Sequence, residues 1–381
     1  MGGAETWLME LLRLWSKSGK VQMDFLLTSG NRGIFDDEAA ALGARLFYCP
    51  YGRGRLLQFA REFRAILREG NYDAIHDHQD YVSGWHFLLG WGVLPQVRVS
   101  HVHIARMHIT TNYVVNPGRK LSTALGRGLL DRFATNVCGT SAAILREYGF
   151  EPGRTRRPGV SVAHCGFSVG RFSGSRDQNR MDILREFGWR QEAKLVLFTG
   201  RLDQAMEFDH PKNSKNSWFA LNVVKLAAER DAQICLIMAG AGDEMRGKLA
   251  AVVAAWGLAQ RLQLVGVRQD MPQLMRAADI LFFPSRQEGL GMVAVEAQAA
   301  GLPVLASTAV PRECVVLPEL CRFLPLNRPL EEWAETLLHI TTKPRLPAVI
   351  CRDAMQASPF SIENSAATLS TIYTRNTQRA D

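Results

Sequence analysis

The sequence predicts an α/β protein with parallel sheets, divided into two domains. Short apolar runs alternate with amphipathic stretches along the whole chain, which is the pattern of strands joined by crossover helices. A chain of 381 residues is too long for one ordinary core and suits two domains of about 150–200 residues. Hydrophobic residues make up 47% and charged residues 22%, the balance of a soluble globular chain rather than a disordered or membrane-embedded one.

In the first half, the strands Val21–Thr28, Leu46–Cys49, Ala74–His76, Val97–His101, Phe133–Cys138 and Ser161–Ala163 follow from short runs rich in Val, Ile, Leu and Phe. Between them, apolar residues at helical spacing predict helices over Thr6–Ser18, Gly54–Glu69, Tyr81–Gly90, Leu121–Leu130 and Ala142–Tyr148. The second half gives strands Lys194–Thr199, Gln233–Ala239, Leu262–Val265, Ile280–Pro284 and Val304–Ala306, with helices Ser217–Glu229, Asp243–Trp256, Met271–Ala277 and Met292–Ala300. The polar, Gly- and Ser-rich stretch Gly170–Arg180 and a helix Met181–Phe187 place the domain boundary within 166–193. The expected division is 1–170, 171–358 and a last helix, 359–381.

No stretch reaches the roughly 18 uninterrupted apolar residues of a membrane span, and the N-terminus lacks a basic–apolar–small leader pattern. Seven cysteines without C-x-x-C pairing fit a reducing compartment and give no metal motif, so a cytoplasmic setting is expected. Net charge is +8, and residues 1–170 carry 20 Lys/Arg against 14 Asp/Glu. Arg53, Arg55, Arg61, Arg64 and Arg68 form one basic group; Arg154, Arg156 and Arg157 form another. Such a surface suits anionic lipid heads at the inner face of a membrane or an anionic acceptor, or is a solvated helix face. No nucleic-acid motif accompanies it.

The most informative stretch is Ser285-Arg-Gln-Glu288-Gly-Leu-Gly-Met-Val-Ala-Val-Glu296-Ala-Gln-Ala-Ala-Gly-Leu-Pro-Val304. One carboxylate lies in a loop at a strand's carboxyl end, the other about one turn into the following helix. Glycines let backbone approach a ligand, and a helix N-terminus offers unpaired N–H groups to an anion. Carboxylates for hydroxyls and amides for phosphate describe a ligand carrying both.

This stretch resembles the E-x7-E signature of retaining nucleotide-sugar glycosyltransferases of family 4. The resemblance implies the GT-B fold: two Rossmann-like domains facing across a cleft, with a C-terminal helix, here Phe360-Ser-Ile-Glu to Tyr373, crossing back. It further implies that Glu296 binds the ribose and Glu288 the donor sugar, with the amides of Gly289, Leu290, Gly291 and Met292 facing sugar and phosphates. Gly200-Arg201 ends one strand, and Lys215-Asn216-Ser217 opens a helix. In similar transferases this arginine and lysine contact the diphosphate, where fixed cations offset the charge of the leaving group without a metal. Lys212 is a rival for Lys215, which is preferred because it directly precedes the helix. Gly240 and Gly242 form a turn expected to line the nucleotide pocket, and Val267 is expected near the base.

In the first domain, His76 and His78 end one strand, and His101 and His103 end the next. Residues i and i+2 of an extended segment share a face, which would also suit a metal; the family resemblance accounts for both pairs, so no metal or other cofactor is expected. His103 best matches the family position that contacts the donor sugar, with His101 close behind; Glu5, His76, His78 and His101 are acceptor-side candidates. Gly2, Gly3 and Glu5 match a glycine-rich loop that the family places after a first strand. That strand is missing here. An assigned start that is too late, a substitute segment or a compromised domain would each explain this, and a late start is the expectation. Cys165 and Ser168 also depart from the family's usual Asn and Asp.

The implied activity is that of a hexosyltransferase moving sugar from a nucleotide-sugar, UDP-linked by expectation, to a glycan or polyprenyl-linked acceptor. A double displacement would need a carboxylate nucleophile about 5 Å from the acid, and none is evident, so front-face substitution with retention is expected. The rivals are a non-catalytic GT-B sugar-nucleotide-binding protein and a GT-B epimerase or phosphorylase. A dinucleotide-binding enzyme is disfavoured because no strand leads into G-x-G-x-x-G.

Overall fold

The chain divides into two units, residues 1–168 with 359–381 and residues 169–358; a computed structural model describes residues 3–52, 54–105, 116–154, 158–208 and 210–374 of them. The first unit runs α1 (Gly3–Ser18), β1 (Phe25–Leu27), α2 (Asp36–Ala41), β2 (Leu46–Tyr48), α3 (Leu56–Gly70), β3 (Ala74–Asp77), α4 (Val82–Leu89), β4 (Val97–Val102), α5 (Pro117–Phe133), β5 (Asn136–Gly139), α6 (Ala142–Glu147) and β6 (Gly159–Val162). Helix α5 starts early because the Asn116 side chain accepts the Arg119 N–H and Pro117 occupies the first turn. It also carries on through Phe133, which the sequence pattern had assigned to the following strand.

Strands β3, β4, β5 and β6 form a parallel sheet in that order, while β1 and β2 form a separate parallel pair. Among the described residues no strand joins β1 to β3. Apolar side chains connect the two sheets instead: Leu26 of β1 and Ile75 of β3 pack on one cluster with Phe59, Phe63 and Leu67 of α3.

The second unit runs α7 (Arg176–Phe187), β7 (Lys194–Thr199), α8 (Ser217–Arg230), β8 (Ile234–Ala239), α9 (Asp243–Ala255), β9 (Leu262–Gly266), α10 (Met271–Ala277), β10 (Ile280–Phe283), α11 (Met292–Ala299), β11 (Val304–Ser307), β12 (Cys321–Leu324), α12 (Leu330–Thr341) and α13 (Ala348–Ala357). Its six parallel strands lie in the order β12-β11-β10-β7-β8-β9. Strand β8 is buried along its whole length, as expected where helices cover both faces. Helix α14 (Ile362–Thr374) belongs to the first unit, where Trp7 Nε1 donates to Ser365 Oγ at 3.0 Å. The stretch 170–180 is not a loose connector: Arg176 and Arg180 of α7 both pair with Asp279, at 2.7 and 3.0 Å.

Arg345 is a half-buried staple of the second unit. Its guanidinium donates to the carbonyls of Ala300 and Gly301 at the end of α11 and to those of Met275, Arg276 and Ala278 at the end of α10. Removing it leaves helix-end carbonyls without donors. Arg345→Ala is expected to cost about 2–4 kcal/mol in denaturant unfolding, with Arg345→Lys recovering only part, because a point charge cannot serve carbonyls at two helix ends.

Candidate active site

In a doubly wound sheet the ligand crevice opens at the strands' carboxyl ends where the strand order reverses. In the second unit that point lies between β7 and β10, and the two segments singled out by sequence leave those two strands. Lys215 Nζ meets Glu288 Oε1 at 2.5 Å. The rival Lys212 is exposed. Arg201, directly after β7, is exposed and has no carboxylate partner among the described residues, so it is a cation available to an anion. Glu296 is half-buried on α11. Val267 follows β9 and is 60% exposed.

Backbone builds the rest. At Gly240 (φ +159°) a Cβ would stand 1.8 Å from the Gly200 carbonyl oxygen, so the two glycine turns after β7 and β8 touch and only glycine fits. Gly291 (φ +90°) precedes α11, and a Cβ there would meet Val310 at 2.9 Å. Neither α9 nor α11 has a side-chain cap at its N-terminus; their first amides remain for a ligand, and the helix dipole favours an anion there. Helix α8 differs. The buried Asp203 carboxylate accepts from the N–H groups of Lys215 (3.0 Å) and Ser217 (2.7 Å), which fixes Asn216 in a left-handed turn (φ 61°) and aims Lys215. Burial pushes the Asp203 carboxyl up despite these donors.

In the first unit, register brings both histidine pairs onto one face. Ala74 aligns with Val97, so alternate positions put His76, His78, His101 and His103 side by side. His76 Nε2 lies 3.2 Å from His101 Nδ1 and His78 Nδ1 lies 2.9 Å from His103 Nε2. Trp7 of α1 packs against all four rings, and Tyr373 Oη of α14 bonds His76 Nδ1 at 2.7 Å. Asp80, left-handed at φ 51°, accepts the backbone N–H of His103 at 3.1 Å; burial pushes its carboxyl up to about 7. Asp77 points the other way, to His86 Nδ1 at 2.6 Å.

One expectation changes. Gly3 and Glu5 stand in the first turn of α1 rather than in a loop, because a glutamate there complements the helix N-terminus. Gly2, Arg53, Arg156 and Arg157 lie outside the described residues. Sequence reasoning missed Asp203, Asp80, Trp7 and Tyr373 as positioning groups. Asp203 alone left a signal, an acidic residue just after Gly-Arg and ahead of an uncapped helix start.

Burial lowers all four histidines, His78 to about 4 and the others well below 6.5. The unfolded chain binds these protons near pH 6.5, so their contribution is complete above that pH and is lost as pH falls towards 4. His78 alone accounts for about 3 kcal/mol by pH 4. Urea unfolding between pH 7.5 and 4.5 is expected to show this loss, and His78→Gln to flatten it.

Residues 1–164 match the family model described as Glycosyltransferase Family 4, and residues 193–342 match that described as Glycosyl transferases group 1. Over 380 residues the chain is 28% identical to EpsF of Bacillus subtilis (strain 168), a protein named as a glycosyltransferase, covering 99% of this chain and 94% of that one. The structure of Anabaena HepE in complex with UDP and glucose superposes with a TM-score of 0.70 at 20% identity, covering 100% of this chain and 95% of that one. Sucrose-phosphate synthase from Thermosynechococcus elongatus gives 0.73 at 20% identity, with 100% and 94% covered. These solved folds are GT-B, and no helix among the described residues is long and apolar enough to cross a membrane. With residues 1–164 and 193–342 each matched to a glycosyltransferase model, the chain is a family 4-like glycosyltransferase of GT-B type.

Proposed function

We propose that the chain transfers a hexose from a UDP-sugar to a hydroxyl of a glycan or polyprenyl-linked acceptor, with retention and by front-face substitution. The observation that carries this is the pairing of Lys215 with Glu288 at the sheet's reversal point, with Arg201 of the same β7 loop lacking a carboxylate partner among the described residues. A diphosphate brings charge that Arg201 takes in a fork and Lys215 as a point charge. As the glycosidic bond breaks, negative charge grows on the leaving phosphate; two fixed cations and the amides from Gly289 to Met292 stabilise it more than the ground state. Glu288 then accepts from sugar hydroxyls and Glu296 from the ribose. The leaving phosphate takes the acceptor's proton, so no carboxylate base and no metal on the diphosphate are needed. His103 serves the donor sugar, with Glu5, His76, His78 and His101 on the acceptor side. HepE, solved with UDP and glucose, supports the choice of donor. The setting is assembly of a surface polysaccharide at the cytoplasmic face of a membrane, met through the basic first unit.

The test is thermal shift and hydrolysis with UDP-, GDP- and ADP-sugars in the absence of added metal. Stabilisation and slow nucleotide release with UDP-sugars support the reading. Stabilisation without turnover points to a sugar-nucleotide-binding protein, and an isomerised sugar with donor alone points to an epimerase.

Two variants separate the roles. Arg201→Ala is expected to lower transfer by about 10²–10³-fold and to weaken UDP binding as well. Glu288→Gln is expected to lower transfer similarly while UDP binding holds or tightens, because Lys215 loses the carboxylate that competes with phosphate. Retention of most activity by either variant, with UDP titration as the second readout, would sink the assignment.

A further inference from the structure

Four of the histidines of the first unit, His76, His78, His101 and His103, are gathered on one face. One ring nitrogen from each of His76, His78 and His101 lies within 4.8 Å of the others. Two nitrogens bound 2.0–2.1 Å from one ion at the tetrahedral angle stand about 3.3 Å apart, and His76 Nε2 and His101 Nδ1 are 3.2 Å apart.

We infer that His76, His78 and His101 form a three-imidazole site for a zinc-class transition-metal ion. The nitrogens turned away from the site already have the partners that ligating imidazoles use to fix tautomer and ring orientation. His76 Nδ1 bonds Tyr373 Oη at 2.7 Å and His78 Nδ1 bonds His103 Nε2 at 2.9 Å. This leaves Nε2 of both rings for the ion. His101 is fully buried; its Nε2 makes no hydrogen bond of normal geometry, the Ala163 backbone giving the ring only a minor stabilisation. With imidazoles alone to share protons, that buried nitrogen goes unserved. Ligation through Nδ1 puts the proton on Nε2.

The chemistry of the donors selects the ion. Three neutral nitrogens suit zinc, nickel or copper, whereas magnesium, calcium and manganese prefer carboxylate and carbonyl oxygen. Burial keeps the rings unprotonated at neutral pH, so the ion displaces no protons from them. Asp77, the carboxylate within this strand, is committed to His86, Ser83 and the Gln79 N–H, so the site carries no anionic ligand. Three protein ligands fall one short of the four that tetrahedral zinc takes.

No residue of the second unit takes part in the site. The experiment uses the full chain, stripped by chelator and titrated with Zn²⁺ by calorimetry, with bound metal counted by mass spectrometry. One zinc per chain, retained through desalting and weakened at least ~100-fold in His76→Ala and in His101→Asn, is the expected result. Co²⁺ replaces zinc in the unmodified chain and needs no variant: visible absorption of tetrahedral cobalt, bleached by zinc and not by Mg²⁺, is expected. Substoichiometric zinc, or absence of that absorption, would overturn the site whether or not UDP binds. UDP binding that survives in the stripped protein keeps the donor reading standing by itself.

Discussion

In a parallel sheet every strand points the same way, so every segment that leaves a carboxyl end falls at one edge. That single constraint organises the second unit. Strand order β12-β11-β10-β7-β8-β9 makes β7 and β10 neighbours although more than eighty residues separate their starts in sequence. The Gly200-Arg201 turn, the Lys215 turn and the Glu288 loop meet there because connections run in opposite directions on either side of the β7–β10 pair. The Lys215–Glu288 pair is then a consequence of topology rather than of local sequence.

The first unit uses a different regularity. A period of two places alternate residues of a strand on one face, and in-register pairing of β3 with β4 lays two H-x-H pairs beside each other. Desolvation then keeps the imidazoles neutral. Trp7 and Tyr373 close the cluster from helices at opposite ends of the chain. This unit has no continuous sheet among its described residues, and apolar packing on Phe59, Phe63 and Leu67 substitutes for the absent ladder.

Legibility followed how strongly a segment's pattern was tied to burial. Strand β7 and helix α10 were readable to the residue because the apolar run Leu195–Phe198 sits in β7 just ahead of Gly200, and α10 opens on Met271-Pro272. Strand β1 is only Phe25–Leu27, shorter than the run Val21–Thr28, because a strand ends where pairing ends, not where hydrophobicity does. Elements α2, β12, α12 and α13 were not read. Cys-Arg-Phe-Leu of β12 is four residues at a sheet edge, too short to show a period. In the site, Glu288, Glu296 and the histidines were legible because glycines and strand ends surround them. Asp203 and Asp80 were not, since each works through backbone N–H groups of residues 12 to 23 positions away.

The sequence alone determined the α/β class, most of the strands and helices, and the residue types that suit a sugar nucleotide, because these depend on periodicity and on glycine at ligand-facing turns. Only the tertiary structure decided that Lys215 rather than Lys212 meets Glu288, that Arg201 keeps its charge unpaired among the described residues, and that Tyr373 reaches His76 from almost 300 residues away. Those outcomes depend on which strands lie side by side and which helix ends return, and long-range packing sets both.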